Sequence, residues 1–370
     1  MLQPKRCLHI KSIVYFMNRL KVIILYNKIF HYRVPVWNEL AKMCDLTVTY
    51  SEGDGKVPDN MDVYFKIMYL SALSLKGIVL QRVNVRKLCR QYDVVIAYGN
   101  IAWLKYSTLP WFNKTPVIFH TIGVSASYGK GFDEHKEWDK VRNFFYSKAD
   151  ALAFYTDYPI KKYEEFGIPR EKMYVAPNTV AVSPVKEAVK KDTLLVIGTL
   201  YREKGIQSLL DVYKELRPIC KLPILNIIGK GPDYDVINKW IQENNMQDLI
   251  FLRGAIYDIN EKAKYFAQAL ACISPKQAGL TVLESMGYGV PFVSTKNAIT
   301  GGELLNVHNG VDGVVMESEH DLSSVVKDIS EHPEKYIAMG EKAKEFYDNN
   351  RTPKHMAQGF WDAIQYVMRK

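Results

Sequence analysis

The stretch ISPKQAGLTVLESMGYGVPFVST, residues 273–295, decides the fold. The run ALACIS leading into it reads as a short buried strand, and Pro275 marks a turn. Gly279 then opens a helix over residues 280–287, whose single acid is Glu284. A second apolar strand, PFVST, follows at once. A strand, a glycine turn and a helix start together form an anion site. The first amides of a helix lack intrahelical acceptors, and the dipole is positive there. Glu284, one turn in, can accept hydrogen bonds from the hydroxyls of a sugar or ribose. Such a unit, late in a long α/β chain, suggests a phosphorylated sugar or a nucleotide as ligand.

Two earlier loops have the same placement after apolar strands. GTLYREKG, residues 198–205, puts Arg202 and Lys204 just before a helix. It reads as a diphosphate clamp or as a solvated basic turn. IIGKGP, residues 227–232, carries Gly229 and Gly231, which permit close backbone approach to a ligand or make a simple turn. It does not extend to G-x-G-x-x-G, and no acid follows at the dehydrogenase spacing. Open α/β sheets bind ligands at the carboxyl ends of their strands. Three such loops in register on one sheet are much less easily three accidents.

Working outward, strand and helix patterns alternate along both halves, which predicts parallel, doubly wound sheets. In the first half the strands fall at residues 20–26, 46–50, 63–66, 93–99, 116–121, 151–156 and 172–175. A basic helix is expected near 85–91 and a long amphipathic one over 134–147. The polar, lysine-rich run NTVAVSPVKEAVKKD, residues 178–192, reads as a linker. The second series has strands TLLVIGT, PILNIIG, LIFLRG, ACIS, PFVST and DGVV. Its helices fall near 206–216, 234–243, 260–270, 280–287 and 320–330. These patterns set an extension at 1–16, a first domain at 17–182 and a second at 183–352. Two helices close the chain, near 333–348 and 353–368.

A chain of 370 residues exceeds what one core usually holds. Five scattered cysteines without a C-x-x-C pair argue for a reducing, cytoplasmic setting with neither a disulfide framework nor a zinc site. No apolar run is long enough to span a bilayer. The charge is uneven. Residues 1–185 hold 26 Lys and Arg against 16 Asp and Glu, while residues 186–370 hold 23 against 24. An anionic membrane surface, an anionic acceptor or a solvated basic face would each account for the excess. No nucleic-acid signature accompanies it. The aromatic and basic segment 103–112 suits either a membrane interface or core packing. The Asp233-Tyr234-Asp235 triplet imitates a metal-binding D-x-D, but acids are favoured at a helix start in any case.

The order GTL…REKG, IIGKGP, FLRG, SPKQAGLTVLESMGYGVP and GGELL, over residues 194–315, resembles the C-terminal domain of family-4 retaining glycosyltransferases of the GT-B fold. The first half is similar more loosely, through IFHYRVPVWNEL, the strand ending in His120, and YVAPNTV. Those pieces resemble capsule, lipopolysaccharide and exopolysaccharide transferases. The resemblance implies two Rossmann-like domains facing a cleft, with the last helix, 353–370, crossing back onto the first. It implies a nucleotide-diphosphate sugar as co-substrate, a glycan or lipid-linked acceptor, hexosyl transfer with retention, and no metal or cofactor. The place of action would be the cytoplasm, at the inner face of a membrane.

Carried over residue by residue, Lys204 is similar to the family's diphosphate-binding lysine. Gly279, Leu280 and Thr281 would offer amides to phosphate, and Glu284 would hold the ribose. Arg253 and Gly254 would flank the base, with Gly198 and Gly229 lining the site. His120 is similar to the family's histidine near the transferring sugar, and His31 and Arg33 are acceptor-side candidates. His120, Lys204 and Glu284 form the implied catalytic set. Two departures stand out. The family's basic residue after Gly198 is Thr199 here, with Arg202 as a substitute. The family's first acid of E-x7-E is Lys276. An ammonium donates hydrogen bonds and cannot accept them. Lys276 would therefore meet a donor carboxylate, add charge to the diphosphate site, or point away. A catalytically weakened binding protein and a sugar-nucleotide epimerase are the alternative readings.

Overall fold

The fold was read from a computed structural model, which describes residues 19–52, 57, 61–127, 131–185 and 189–370. The expected extension at 1–16 lies outside them. The chain divides into two units. One comprises Met1–Gly123, Lys136–Pro177 and Pro353–Lys370; the other comprises Val124–His135 and Asn178–Thr352.

The first unit carries a seven-stranded parallel sheet. Its strands are β1 (Lys21–Leu25), β2 (Asp45–Tyr50), β3 (Lys66–Tyr69), β4 (Val94–Tyr98), β5 (Val117–Thr121), β6 (Ala151–Phe154) and β7 (Met173–Val175). Their spatial order is β7-β6-β5-β4-β1-β2-β3. The central strands read as unbroken apolar runs because both faces are covered. Val22 and Ile24 enter one core cluster, and Ile23 and Leu25 the other. The helix Pro353–Met368 buries Met356, Ala357, Phe360, Ala363, Ile364 and Val367 at helical spacing. It joins the first of these clusters, where the Phe360 and Trp37 rings lie 5.3 Å apart.

The second unit carries six parallel strands. They are β8 (Thr193–Ile197), β9 (Ile224–Ile228), β10 (Ile250–Gly254), β11 (Ala269–Ile273), β12 (Phe292–Thr295) and β13 (Gly313–Met316). Their order is β10-β9-β8-β11-β12-β13. The helix Ile206–Leu216 spans the residues its spacing predicts and buries Ile206, Leu209, Leu210, Tyr213 and Leu216. Both sheets start in the middle and reverse direction after three strands, which is the Rossmann order. The reversal places a crevice at the carboxyl ends of β1 and β4 in one unit, and of β8 and β11 in the other.

Three expectations for the first half need correction. The strand placed at 63–66 is Lys66–Tyr69. An unforeseen antiparallel hairpin follows, pairing Ala72–Leu75 with Ile78–Gln81. The long helix over 134–147 starts late. A 3-10 turn at Lys136–Trp138 precedes the helix Asp139–Tyr146. The preceding segment, Val124–His135, groups with the second unit instead of the first. There its short strands, Ala126–Ser127 and Gly131–Phe132, pair with each other and lie against Ile299–Thr300.

Candidate active site

In the second unit the loops after β8, β9, β10 and β11 are stitched together by backbone hydrogen bonds. Gly198 N–H donates to the Ile228 carbonyl at 3.0 Å, and Leu200 N–H to Lys230 at 3.0 Å. Gly229 N–H donates to Gly254 at 2.8 Å. The glycines of IIGKGP serve this stitching. A Cβ on Gly229 would lie 1.9 Å from the Gly198 carbonyl oxygen, and one on Gly231 2.1 Å from that of Leu200. The close approach read from the sequence is therefore to the neighbouring loop, where no L side chain fits.

Lys204 ends the 3-10 turn Arg202–Lys204 at the β8/β11 reversal and is only 2% exposed. Its ammonium donates to the Ile197 carbonyl at 2.8 Å and to Gln277 Oε1 at 3.4 Å. Among the described residues no carboxylate faces it, and burial pushes its pKa down to about 8. The loop from β11 meets it directly, with Lys276 N–H reaching the Lys204 carbonyl at 3.3 Å. Beyond that contact the chain turns into the helix Thr281–Gly287. The amides of Gly279, Leu280 and Thr281 precede its first internal bond, from Val282 N–H to the Gly279 carbonyl at 3.0 Å. The space beside Gly279 is open. At seven residues this helix has a small dipole, so the principal positive charge here is Lys204. Thr199 and Arg202 are exposed on the adjoining loop.

Two expected ligand groups have protein partners. Glu284 is 8% exposed and accepts through Oε1 from Lys262 of the helix Ile259–Gln268. Lys276 pairs with Glu319, its Nζ 2.7 Å from the carboxylate. Glu319 also accepts from Ser208 at 2.5 Å. Partial burial opposes ionisation of Glu319, but these two hydrogen bonds hold its carboxyl below the usual range. Lys276, Glu319 and Arg202 line a groove of about 610 Å³. Of the three roles open to Lys276, its ammonium is thus directed at a protein carboxylate. Lys262, Gln277 and Glu319 escaped the sequence reading. Their partners lie 22 to 111 residues away, so no local pattern marks them.

Arg253 is exposed on β10 and donates from Nε to Asn226 at 2.9 Å. Glu303 is buried and closes its own loop, accepting from Asn178 at 2.6 Å and from Gly301 N–H at 2.8 Å. Asp258 caps the helix Ile259–Gln268 through the amide of Glu261. Asp233 stands at the cap position of Tyr234–Glu243.

In the first unit His120 lies on β5 and is fully buried. Its ring is 4.6 Å from those of Tyr155 and Phe360. Nδ1 lies 3.4 Å from the Tyr26 hydroxyl, and Nε2 has no hydrogen-bond partner among the described residues. Burial, reinforced by the nearby Arg33, holds its pKa well below the usual histidine value, so the ring is neutral. Arg33 is buried over the faces of Tyr32 and Tyr155, at 5.3 and 5.1 Å, and donates to Met356 Sδ at 2.8 Å. His31 is exposed, edge-on to Tyr32. Tyr26, Arg33, His120 and Tyr155 thus form one aromatic cluster at the carboxyl end of the first sheet.

The architecture is that of the GT-B class. The chain superposes on HepE of Anabaena, crystallised with UDP, with a TM-score of 0.70 at 13% identity. The match covers 94% of this chain and 100% of that one. The same Anabaena protein with UDP-glucose gives 0.67. Residues 181–346 match the family model of glycosyl transferases group 1. The second unit is thus similar to the group 1 glycosyl transferases, and the structural neighbours share the GT-B fold. An uncharacterized glycosyltransferase of Haemophilus influenzae is 24% identical over 45% of this chain and 48% of its own length. The poly(glycerol-phosphate) alpha-glucosyltransferase of Bacillus subtilis is 28% identical over 52% of this chain and 30% of its own. The matches thus span less than half the length of these two relatives.

Proposed function

We propose that the chain is a hexosyltransferase. It moves a hexosyl group from a UDP-sugar to a growing, lipid-linked surface glycan, with retention and without a metal or cofactor. Lys204 carries this reading: a buried cation at the sheet reversal, with no carboxylate among the described residues to neutralise it. A diphosphate supplies the missing negative charge, and stabilising that group as it leaves is the main electrostatic contribution to rate. The amides of Gly279, Leu280 and Thr281 add donors to the same phosphates. Arg202 brings a second positive charge in place of a basic residue at Thr199. Glu284, oriented by Lys262, has its second carboxylate oxygen for ribose hydroxyls, and Arg253 and Gly254 flank the base.

The choice of uridine follows the Anabaena neighbour, which binds UDP and UDP-glucose. In the first unit, His120 and Arg33 shape the wall that orients the acceptor, and His31 offers an exposed polar group. Because His120 is enclosed, it acts as a positioning residue. With no carboxylate among the described residues assigned as a covalent nucleophile, a same-face displacement is the route proposed for retention.

A thermal-shift and turnover series tests the reading. UDP should raise the unfolding temperature while GDP and ADP do not, by selective binding to the folded state. A panel of UDP-hexoses with a lipid-linked acceptor should yield one product, its anomeric configuration read by NMR. No stabilisation by any nucleotide diphosphate would remove the site assignment. The pairing of both Lys276 and Glu284 within the protein favours one second reading, a nucleotide-sugar-binding protein without turnover. Slow hydrolysis of a UDP-sugar would exclude it.

A further inference from the structure

The hairpin missed by the sequence reading presents its apolar side to solvent. Its register pairs Leu73 with Leu80 and Leu75 with Ile78, so these four side chains share one face. They are 53%, 41%, 72% and 43% exposed, respectively. On the opposite face Gln81 is buried at the base, and along the hairpin's edge Val79 N–H donates to the Ala102 carbonyl at 2.9 Å. Lys76 and Gly77 form the tip, both with positive φ, 50° and 82°. A two-residue turn of that hand matches the twist of a hairpin and fixes its register. The apolar face is therefore a defined feature and not a frayed loop. The adjacent edge strand β3 adds Ile67 and Tyr69, also exposed.

The surroundings are cationic. Residues 64–92 contain six Lys and Arg and no acid, and of the six Lys66 is paired with Asp45 at 3.0 Å. Between residues 64 and 132 the only acid is Asp93, whose carboxylate accepts from the Lys21 amide at 2.7 Å. Lys76 caps the apolar tip, and Arg82, Arg86 and Lys87 follow it. Arg86 lies 4.0 Å over the ring of Phe112, another exposed apolar group. Of the aromatics in the segment 103–112, Trp103 and Tyr106 are buried in the core, Trp111 is half-buried and Phe112 is exposed.

We propose that this hairpin is a membrane-contact element seating the first unit on an anionic lipid surface. Apolar side chains enter the acyl boundary while the basic rim meets phosphate headgroups, the pairing of forces that holds interfacial segments. A second copy of the chain does not fit, because symmetric pairing would oppose two basic rims. A nucleic acid would engage the rim and leave the apolar tip in water. The proposal goes beyond the transferase reading and is independent of it, since vesicle binding needs neither donor nor acceptor.

The test is co-sedimentation of the full chain with phosphatidylcholine vesicles, with and without phosphatidylglycerol. Binding should require phosphatidylglycerol and weaken as salt rises. Leu75→Asn with Ile78→Asn should reduce partition by roughly tenfold or more. Arg82→Gln with Arg86→Gln should reduce it and flatten the salt dependence. All four positions are exposed, and unchanged thermal unfolding checks that the variants fold. Equal binding to both vesicle types, or full binding by L75N/I78N, would overturn the proposal. So would a lipid-independent dimer that L75N/I78N disperses, or a duplex DNA that outcompetes the vesicles.

Discussion

Lys204 in the second unit and Arg33 in the first are both buried cations without a carboxylate partner among the described residues. The protein accommodates them differently. Arg33 lies over two tyrosine rings, and a weakly hydrated planar guanidinium is stabilised there without giving up its charge. Lys204 has a carbonyl and an amide oxygen, and its pKa falls to about 8. That fall corresponds to about 3 kcal/mol of opposition to the charged form. Arg33 is electrostatically complete within its unit, whereas Lys204 is left short of negative charge. A cation of the second kind gains from an arriving anion; one of the first kind organises the wall it sits in.

The contrast breaks most sharply at Lys204→Met. UDP affinity should fall by at least about 100-fold, consistent with loss of a charged hydrogen-bond donor. The unfolding temperature of the ligand-free protein should stay level or rise, because an uncompensated buried charge is removed. Calorimetric titration and thermal unfolding read the two effects. A marked drop in unfolding temperature would make Lys204 a structural residue like Arg33.

A smaller effect is expected from pH. The Lys204 ammonium is present below about 8 and lost above it. UDP affinity should therefore decline roughly tenfold between pH 7 and 9 if only the charged form binds. Stability of the ligand-free protein should move the other way. Between about 8 and 10.5 the unfolded chain holds a proton on this lysine that the folded chain does not, so stability rises with pH there. Lys204→Arg, which stays charged, should flatten the binding profile. A profile that is already flat in the wild type would remove Lys204 from the diphosphate.

The smallest effects fall on Arg33. Arg33→Met keeps the volume and removes the charge, and should change stability by no more than about 1 kcal/mol. Arg33→Lys should cost more, about 1–2 kcal/mol, because a compact ammonium loses the stacking and is harder to desolvate. Denaturant unfolding ranks the two. The reverse order would mean that Arg33 is held by charge and not by its rings.

Much of the second unit was legible in sequence because its signals are local. The helix Ile206–Leu216 follows from apolar spacing, and Lys204 and Gly279 stand at fixed distances from strand ends. Lys262 and Glu319 were not legible, since each meets its partner only after distant strands are laid side by side. The first unit was harder to read. The turn Lys76-Gly77 carries no Asn-Gly signal, and leucines facing water break the usual alternation of buried and exposed positions. Segment Val124–His135 was misassigned because its two short strands have no pattern of their own.

Apolar periodicity and glycine spacing determined two doubly wound sheets and the loops at their strand ends, one of which carries Lys204. Those features depend on neighbours within a turn or two of chain. Tertiary packing alone decided that Lys276 answers to Glu319 and Glu284 to Lys262. It also left Lys204 without a counter-charge among the described residues, sealed His120 among aromatic rings, and turned the leucines of the hairpin outward. Each of these depends on which distant groups share a low-dielectric space, and folding sets that through the order of strands in the sheet.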